Sequence, residues 1–335
     1  MHKTLHIVSG TIVTNVMKQA NLSGDFLAWQ DFLHEGPIPQ NFSLQQLSKI
    51  RAHFLCEYNY VTLNKALQTF EHRNTVLENH QHYEEIILWF EQDLYDQLQL
   101  LQLLDWFETH LHKGVQLSLI LTDRHFADYS FQEIQEATHN KHHIKEKHFK
   151  LAKKAWSALS DTTPLSWFAL LNEETSSLPF LKNSVQRLLE EYPNTMNGLS
   201  RTEHQALLTI SKGEKRQKQD IFLESQKQEQ HPFIADIIFW KILDEFEKYQ
   251  LITIKKNDDI YITNLGKDVL IGKKNWITIK PIEHWIGGVH LSADNLWCWN
   301  IQGKTIGKYY YSTVLSTLMP IKQKPTKQIN LQSSQ

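Results

Sequence analysis

The sequence predicts an α/β protein in which a Rossmann-like N-terminal sheet precedes a mainly helical region with a winged-helix-like module. Over the first 125 or so residues, short apolar runs alternate with amphipathic stretches, as strands and helices do in such sheets. Further along, three helical stretches precede two short strand-like runs, which is the element order of a winged helix. A length of 335 residues allows more than one domain.

The first elements form a β-turn-α opening. Residues 5–8 are apolar and predict a buried strand, Ser9 and Gly10 predict a turn, and residues 11–20 carry apolar side chains at helical spacing. Residues 25–29 predict the second strand. The short connection between these elements is typical of a βαβ unit.

Two further strands follow a run of amphipathic helices that begins near Ser43. Residues 85–90 are apolar on both faces, which is typical of a central strand in a parallel sheet. Residues 94–107 predict a helix, and residues 115–122 predict the next strand. Around residues 139–143 charge dominates, so we predict a linker or an exposed helix there.

The remaining chain divides by composition and by breaker residues. Ser200 with Glu203 three residues later matches a capping box and predicts a helix start. The predicted units are a Rossmann-like α/β domain (1–128), a helical linker region (129–195), a winged-helix-like module (196–275), Trp-rich strands (276–318) and a disordered tail (319–335).

Composition excludes several classes of protein. A hydrophobic content of 41% with 21% charged residues is that of an ordinary globular chain, and a net charge of −2 supplies no general attraction for nucleic acid. Cys56 and Cys298 lack CxxC spacing, so neither a disulfide framework nor a cysteine zinc site is indicated. We see no secretory signal and no membrane-spanning run, and therefore expect a cytoplasmic protein.

Polar residues follow the predicted strands, where open α/β sheets bind their ligands. Ser9 and Gly10 precede a helix N-terminus, which favours phosphate, although a lone Ser-Gly pair is more commonly an ordinary tight turn. Carboxylates at strand ends could hold a divalent cation or act as acid and base, although Asp93 and Asp123 could simply be caps. The strand-end carboxylates are Asp31, Glu91, Asp93 and Asp123.

Two further groups of candidates surround these ends. His34 could shuttle protons from the loop after the second strand or could simply face solvent, His6 is more typical of a satisfied core histidine, and Trp29 could stack on a base or belong to the core. The candidate catalytic residues are therefore Asp31, His34, Glu35, Glu91 and Asp93. The candidate ligand-binding residues are His6, Ser9, Gly10, Trp29 and Asp123.

Several phrases of the chain resemble the bacterial family catalogued as domain of unknown function eighteen-thirty-five. They are residues 5–10, 29–31, 34–37, 88–98, 197–203 and 285–290. The resemblance covers most of the chain up to about residue 300. Ser9 and Thr11 depart from it, since Asn and Asp are common there. Because the family has no assigned activity, the resemblance implies only the architecture and the candidate residues.

Two functions fit this sequence. The first is an enzyme or sensor that binds a phosphate-bearing small molecule or nucleotide at the strand ends, with metal-assisted hydrolysis as the reaction class. The second is a regulatory protein whose winged-helix-like module binds nucleic acid through Lys212, Lys215, Arg216 and Lys218, or binds a protein partner. The helix over residues 233–249 is acidic, which disfavours DNA. The sequence predicts no oligomeric state.

Overall fold

A computed structural model describes residues 3–214, 217–312 and 317–321 of the chain. In these residues the protein is a mixed α/β structure built around one mainly parallel sheet. None of the helices in this part of the chain combines the length and apolar character needed to cross a membrane.

Strands and helices alternate in the N-terminal part, as predicted. The strands are β1 Thr4–Val8, β2 Asp25–Ala28, β3 Gly36–Pro37, β4 Glu85–Glu91, β5 Gln116–Thr122, β6 His142–His143, β7 Ile252–Ile254, β8 Ile260–Ile262, β9 His284–Gly287, β10 Val289–Leu291, β11 Leu296–Asn300, β12 Thr305–Ser312 and β13 Thr317–Pro320. The helices are α1 Thr11–Gln19, α2 Leu44–Glu57, α3 Leu63–Glu78, α4 Leu94–His110, α5 Phe131–Ala137, α6 Glu146–Leu159, α7 Leu165–Ala169, α8 Leu181–Leu189, α9 Arg201–Lys212, α10 Lys218–Gln226, α11 Asp236–Lys248, α12 Asn264–Leu270 and α13 Trp276–Ile279. Short 3-10 turns lie at His80–His82, Phe126–Asp128, Thr138–Asn140 and Leu170–Asn172.

The main sheet has the strand order β2-β1-β4-β5-β6. The first four strands are parallel, and β6 pairs antiparallel with β5. The central position of β4 is therefore confirmed. The linker or exposed helix predicted around residues 139–143 is wrong for His142 and His143, which form an edge strand. Their exposed side chains follow no apolar pattern, because only one neighbouring strand is present and no layer covers them.

Both faces of the sheet are covered. In β4, Leu88 and Phe90 belong to one apolar cluster, whereas Ile87 and Trp89 belong to a second cluster on the opposite face. This alternation follows from the strand geometry, in which successive side chains point to opposite faces. A strand that is buried on both faces has a continuous apolar sequence, which explains why residues 85–90 were recognisable as a central strand.

The C-terminal strands pack back against the N-terminal part. β3, in a segment predicted as a loop, pairs in parallel with β9, and Trp299 shares one apolar cluster with β1 and β4 residues. Gly287 has φ +59°, and a side chain there would collide with the Leu159 carbonyl. Trp276 begins α13 and is not in a strand. The domain boundaries stay a prediction.

Residues 196–275 contain helices α9 to α12 and the antiparallel hairpin of β7 and β8. Ser200 caps α9 and forms the predicted capping box with Glu203. A separate apolar cluster holds these elements together. The winged-helix interpretation stays a prediction, and Lys215 and Arg216 lie outside the described residues. The predicted tail begins inside β13, and its part beyond residue 321 also lies outside them.

Candidate functional site

Three buried carboxylates lie where β4 ends and α4 begins. Glu91 is the last residue of β4, and Asp93 caps α4 by accepting a hydrogen bond from the Asp96 backbone N–H at 3.1 Å. Asp96 in turn accepts the Glu91 backbone N–H at 2.7 Å. Asp93 is therefore a helix cap, and the same cap places this carboxylate beside Glu91.

His125 joins this cluster from the loop after β5. Its Nδ1 atom lies 2.5 Å from Oε2 of Glu91, while the Phe126 backbone N–H donates to Oε1 of Glu91 at 2.8 Å. Burial would lower the pKa of His125, but the hydrogen bond and the charge of Glu91 outweigh it and raise the pKa. The pairing of β4 with β5 thus brings the carboxyl group of Glu91 and the imidazole of His125 together.

The electrostatics of the cluster favour a cation or a proton. Burial raises the pKa of Asp93 to about 7; the Asp96 backbone N–H opposes this shift, and the charge of Glu91 adds to it. Burial, followed by the charges of Asp93 and Glu91, raises the pKa of Asp96 well above its usual range. Because like charges share a poorly hydrated site, both shifts favour the protonated, neutral carboxyl over the charged form.

The donor set fits a divalent metal ion. Ligand atoms of Glu91, Asp93 and His125 all lie within 4.8 Å of one another. Carboxylate oxygens together with one imidazole suit first-row divalent metals such as Mn²⁺, Fe²⁺ or Zn²⁺. We call these three residues the Glu91 triad.

Two cavities adjoin the Glu91 triad. The strand-end cavity, of about 160 Å³, is lined by Glu91, Gln92, Asp123, Arg124, His125, Gln230, His231 and Pro232. The arginine cavity, of about 120 Å³, is lined by Gln92, Asp93, Leu94, Asn183, Ser184, Gln186, Arg187, Glu190, Arg201, Glu229, Gln230 and His231. Shared lining residues show that both belong to one cleft between the sheet and the segment after α10.

The positive charges of the two arginines that line the arginine cavity are already paired with carboxylates. Arg187 donates to both oxygens of Glu229, from Nε at 3.0 Å and from Nη2 at 2.8 Å. Arg201 lies 3.2 Å from Glu229 and 2.6 Å from Glu190. These arginines therefore tie α8 and α9 to the segment after α10.

Asp31 lies away from the cleft in a closed ion pair. Arg51 donates from Nε to both of its carboxylate oxygens, at 3.0 and 3.2 Å, and from Nη2 to Oδ1 at 2.8 Å. Arg73 lies 3.9 Å from it, and all three side chains are buried. Trp29 is fully buried under the Arg73 guanidinium and donates to Gln102. The structure thus places Asp31 and Trp29 within the core.

His34 and Glu35 also line neither cavity. His34 is 3% exposed, both ring nitrogens lack a hydrogen-bond partner among the described residues, and burial lowers its pKa to about 3. Burial raises the pKa of Glu35 to about 7, although the Tyr60 hydroxyl donates to its carboxylate at 2.9 Å. A buried neutral imidazole with no proton-transfer partner is a poor proton shuttle.

The first-strand candidates separate into two groups. His6 is a buried histidine whose Nδ1 accepts from Trp89 at 3.1 Å and whose Nε2 lies 3.1 Å from the Ser23 carbonyl. The Ser9 side chain lies close enough to the carboxyl group of Asp96 to oppose the rise of its pKa. Gly10 is the N-cap of α1, with no side-chain cap. Ser9 thereby reaches the acidic cluster, whereas His6 belongs to the core.

The fold therefore unites only part of the sequence-based candidates. Glu91 and Asp93 belong to the Glu91 triad, Asp123 lines the strand-end cavity, and Ser9 connects through Asp96. Sequence reasoning missed Asp96, His125 and His231. A search for polar residues that follow the strands could have identified His125, since it lies two residues after Asp123. His231 carried no such signal because it lies more than a hundred positions after the end of β5.

Comparisons with known proteins add no family to this picture. No protein-family model matches the chain, and no curated protein matches it either. The resemblance to domain of unknown function eighteen-thirty-five stays a prediction. A functional conclusion therefore depends on the geometry of the cleft.

Proposed function

We propose that this chain is a divalent-metal-dependent enzyme that hydrolyses a phosphate ester of a small molecule at the C-terminal edge of the main sheet. The observation that carries this proposal is the Glu91 triad, whose ligand atoms lie within 4.8 Å of one another. In the reaction, the oxygen of water bonds to phosphorus and the P–O bond to the alcohol breaks. One water proton passes to the leaving alkoxide.

A bound cation would offset the repulsion among the buried carboxylates of the cluster. Glu91, Asp93 and Asp96 are buried carboxyl groups, and in the part of the chain that the structure describes the half-exposed His125 is the basic side chain that pairs with Glu91. A divalent ion supplies positive charge where a proton otherwise has to, and its binding releases protons from Asp93 and His125. These protons make metal binding measurable by its pH dependence.

A phosphate ester is the substrate class that suits such an edge. The N-terminal ends of α1 and α4 both lie at it, and helix N-termini attract anions. Arg124 lines the strand-end cavity, is half exposed and pairs with Glu133 at 2.8 Å, so a phosphate at the mouth would compete with that carboxylate for the guanidinium. A metal ion at the Glu91 triad would also screen the carboxylates from an incoming phosphate.

The sheet order supports a Rossmann-like interpretation. From β1 the chain continues outward to β2, whereas from β4 it continues outward in the opposite direction to β5. Ligands of open α/β sheets bind in the crevice between two such strands. Ser9 follows β1 and Glu91 ends β4, and Asp96 contacts both residues.

We further propose that residues 196–275 form a winged-helix-like module that closes the cleft. Its segment after α10 lines both cavities through Gln230 and His231. α11 carries Asp236, Asp244, Glu245 and Glu247 against Lys241 and Lys248, so its charge disfavours binding to duplex DNA. A regulatory role through nucleic acid is therefore the weaker alternative.

Calorimetric titration with Mn²⁺ tests the metal centre. We expect wild type to bind one ion per chain, and Glu91→Gln and Asp93→Asn each to weaken binding at least tenfold. Asp123→Asn is the matched control, since Asp123 lines the same cavity outside the Glu91 triad. Equal losses in all three variants, or no Mn²⁺ binding by wild type, would reject the assignment. Turnover of a chromogenic phosphate monoester by the metal-loaded protein then tests the reaction class.

A further inference from the structure

We infer that His231, contributed by the segment after α10, binds an anionic oxygen of the phosphate ligand opposite the Glu91 triad. The inference rests on the proposed function and adds to it a ligand contact from a second part of the chain. It makes the cleft a site shared between the main sheet and residues 196–275. Three observations support it, and each concerns one part of the segment.

The N-terminal end of this segment is anchored by charge. Glu229 is 3% exposed in its side chain and accepts hydrogen bonds from two nitrogens of Arg187. Arg201 lies 3.2 Å from the same carboxylate. Two arginines from different helices therefore hold the residue that precedes Gln230.

The C-terminal end is anchored by ring packing. The Phe233 ring meets the buried His34 ring edge-on, with centroids 5.1 Å apart. The Arg187 guanidinium lies over the Phe233 ring, 4.8 Å from the ring centroid. Since Arg187 contacts both Glu229 and Phe233, one side chain fixes the segment on both sides of His231.

His231 itself is not used by the fold. It lines both cavities, and its ring makes no hydrogen bond with the described residues. A side chain with an unused donor on an anchored backbone segment is an arrangement suited to a ligand-binding group.

The cavity and its charges indicate what His231 binds. The strand-end cavity measures about 160 Å³, whereas one water needs roughly 10–15 Å³, so a small ligand fits. His231 is not part of the Glu91 triad, although it lines the same cavity as Glu91 and His125. An imidazole N–H in that position can donate to an anion held by a cation at the triad.

Calorimetry with inorganic phosphate as the probe tests the inference. Wild type is first saturated with Mn²⁺ and then titrated with phosphate. We expect His231→Ala to leave Mn²⁺ affinity within twofold of wild type and to weaken phosphate binding at least tenfold. His231→Gln keeps an N–H donor and should recover part of that loss. His204→Ala, in α9 and outside both cavities, is the control and should behave as wild type.

Each remaining outcome decides a separate point. Unchanged phosphate binding in His231→Ala would overturn the inference, and so would a parallel loss of Mn²⁺ affinity, which would make His231 a metal ligand. If wild type binds no Mn²⁺, the proposed metal centre fails, and phosphate is titrated without metal. Phosphate binding that still depends on His231 would then support the inference alone, whereas no binding would overturn it.

Discussion

Nδ1 of His125 lies 2.5 Å from Oε2 of Glu91, although the two residues are 34 positions apart. Glu91 ends β4 and His125 follows β5, so the pairing of these adjacent strands brings them together. A metal ion bound at the Glu91 triad as proposed would compete with a proton for these two ligand atoms. The pH dependence of metal affinity is the simplest way to observe that competition.

Metal affinity should rise with pH. Asp93, with a pKa raised to about 7, and His125, whose pKa is also raised, must both lose protons before they bind a cation. Each such proton changes the affinity by roughly tenfold per pH unit below its pKa. We expect Mn²⁺ affinity to increase from pH 5.5 to about pH 7.5 and then to level off. Titrations at five pH values check this, and a flat profile would contradict it.

Removing the Asp31 charge should destabilise the protein severely. Asp31→Asn leaves the buried Arg51 and Arg73 without their carboxylate, and breaking such a pair costs about 3–5 kcal/mol. Urea unfolding measures this loss. Glu146→Gln, which removes an exposed pair with Lys150, is the control and should leave the free energy of unfolding nearly unchanged.

The Asp31→Asn variant also tests whether Asp31 contributes to metal binding or only to stability. At temperatures where Asp31→Asn is still folded, we expect its Mn²⁺ affinity to match wild type, because Asp31 is not part of the Glu91 triad. A folded variant that had lost Mn²⁺ binding would show that Asp31 belongs to the metal site after all.

Glu35 should make stability decrease as pH rises. Burial raises its pKa in the folded protein to about 7 from an ordinary 4.5, so the folded state holds the proton more tightly than the unfolded state. The resulting stabilisation is fully present below pH 4.5 and is lost as pH increases through 7. Relative to Glu35→Gln, wild type should lose on the order of 1–3 kcal/mol between pH 4.5 and 8. Parallel stability profiles of the two proteins would contradict this.

His34 should have the opposite pH dependence. Its pKa is lowered to about 3 by burial, so its contribution is fully present above pH 6.5 and is lost as pH falls toward 3. Because neither ring nitrogen has a hydrogen-bond partner among the residues that the structure describes, His34→Phe should raise stability at pH 7 by about 1 kcal/mol and by more at pH 5. Urea unfolding at both pH values tests this. A destabilised variant at both would indicate a polar partner of His34.

Much of the fold follows from local pattern. The apolar run at residues 85–90 predicted the central strand because burial on both faces leaves no polar positions, and Ser200 with Glu203 marked a helix start because a capping box involves only neighbours. The strand-end rule likewise located Glu91 and Asp93, since the C-terminal edge of a parallel sheet is common to its strands.

Contacts between distant segments settled which candidates share a site. Asp31 also follows a strand, yet Arg51 from α2 and Arg73 from α3 enclose it. The sequence around Asp31 does not predict these contacts. His125 meets Glu91 through strand pairing, and His231 reaches the cleft through the Arg187–Glu229 anchor. The local sequence pattern predicted where the strands end. Tertiary packing determined the chemistry at those ends, because the burial of a side chain and its charged partners depend on segments that are far apart in the chain.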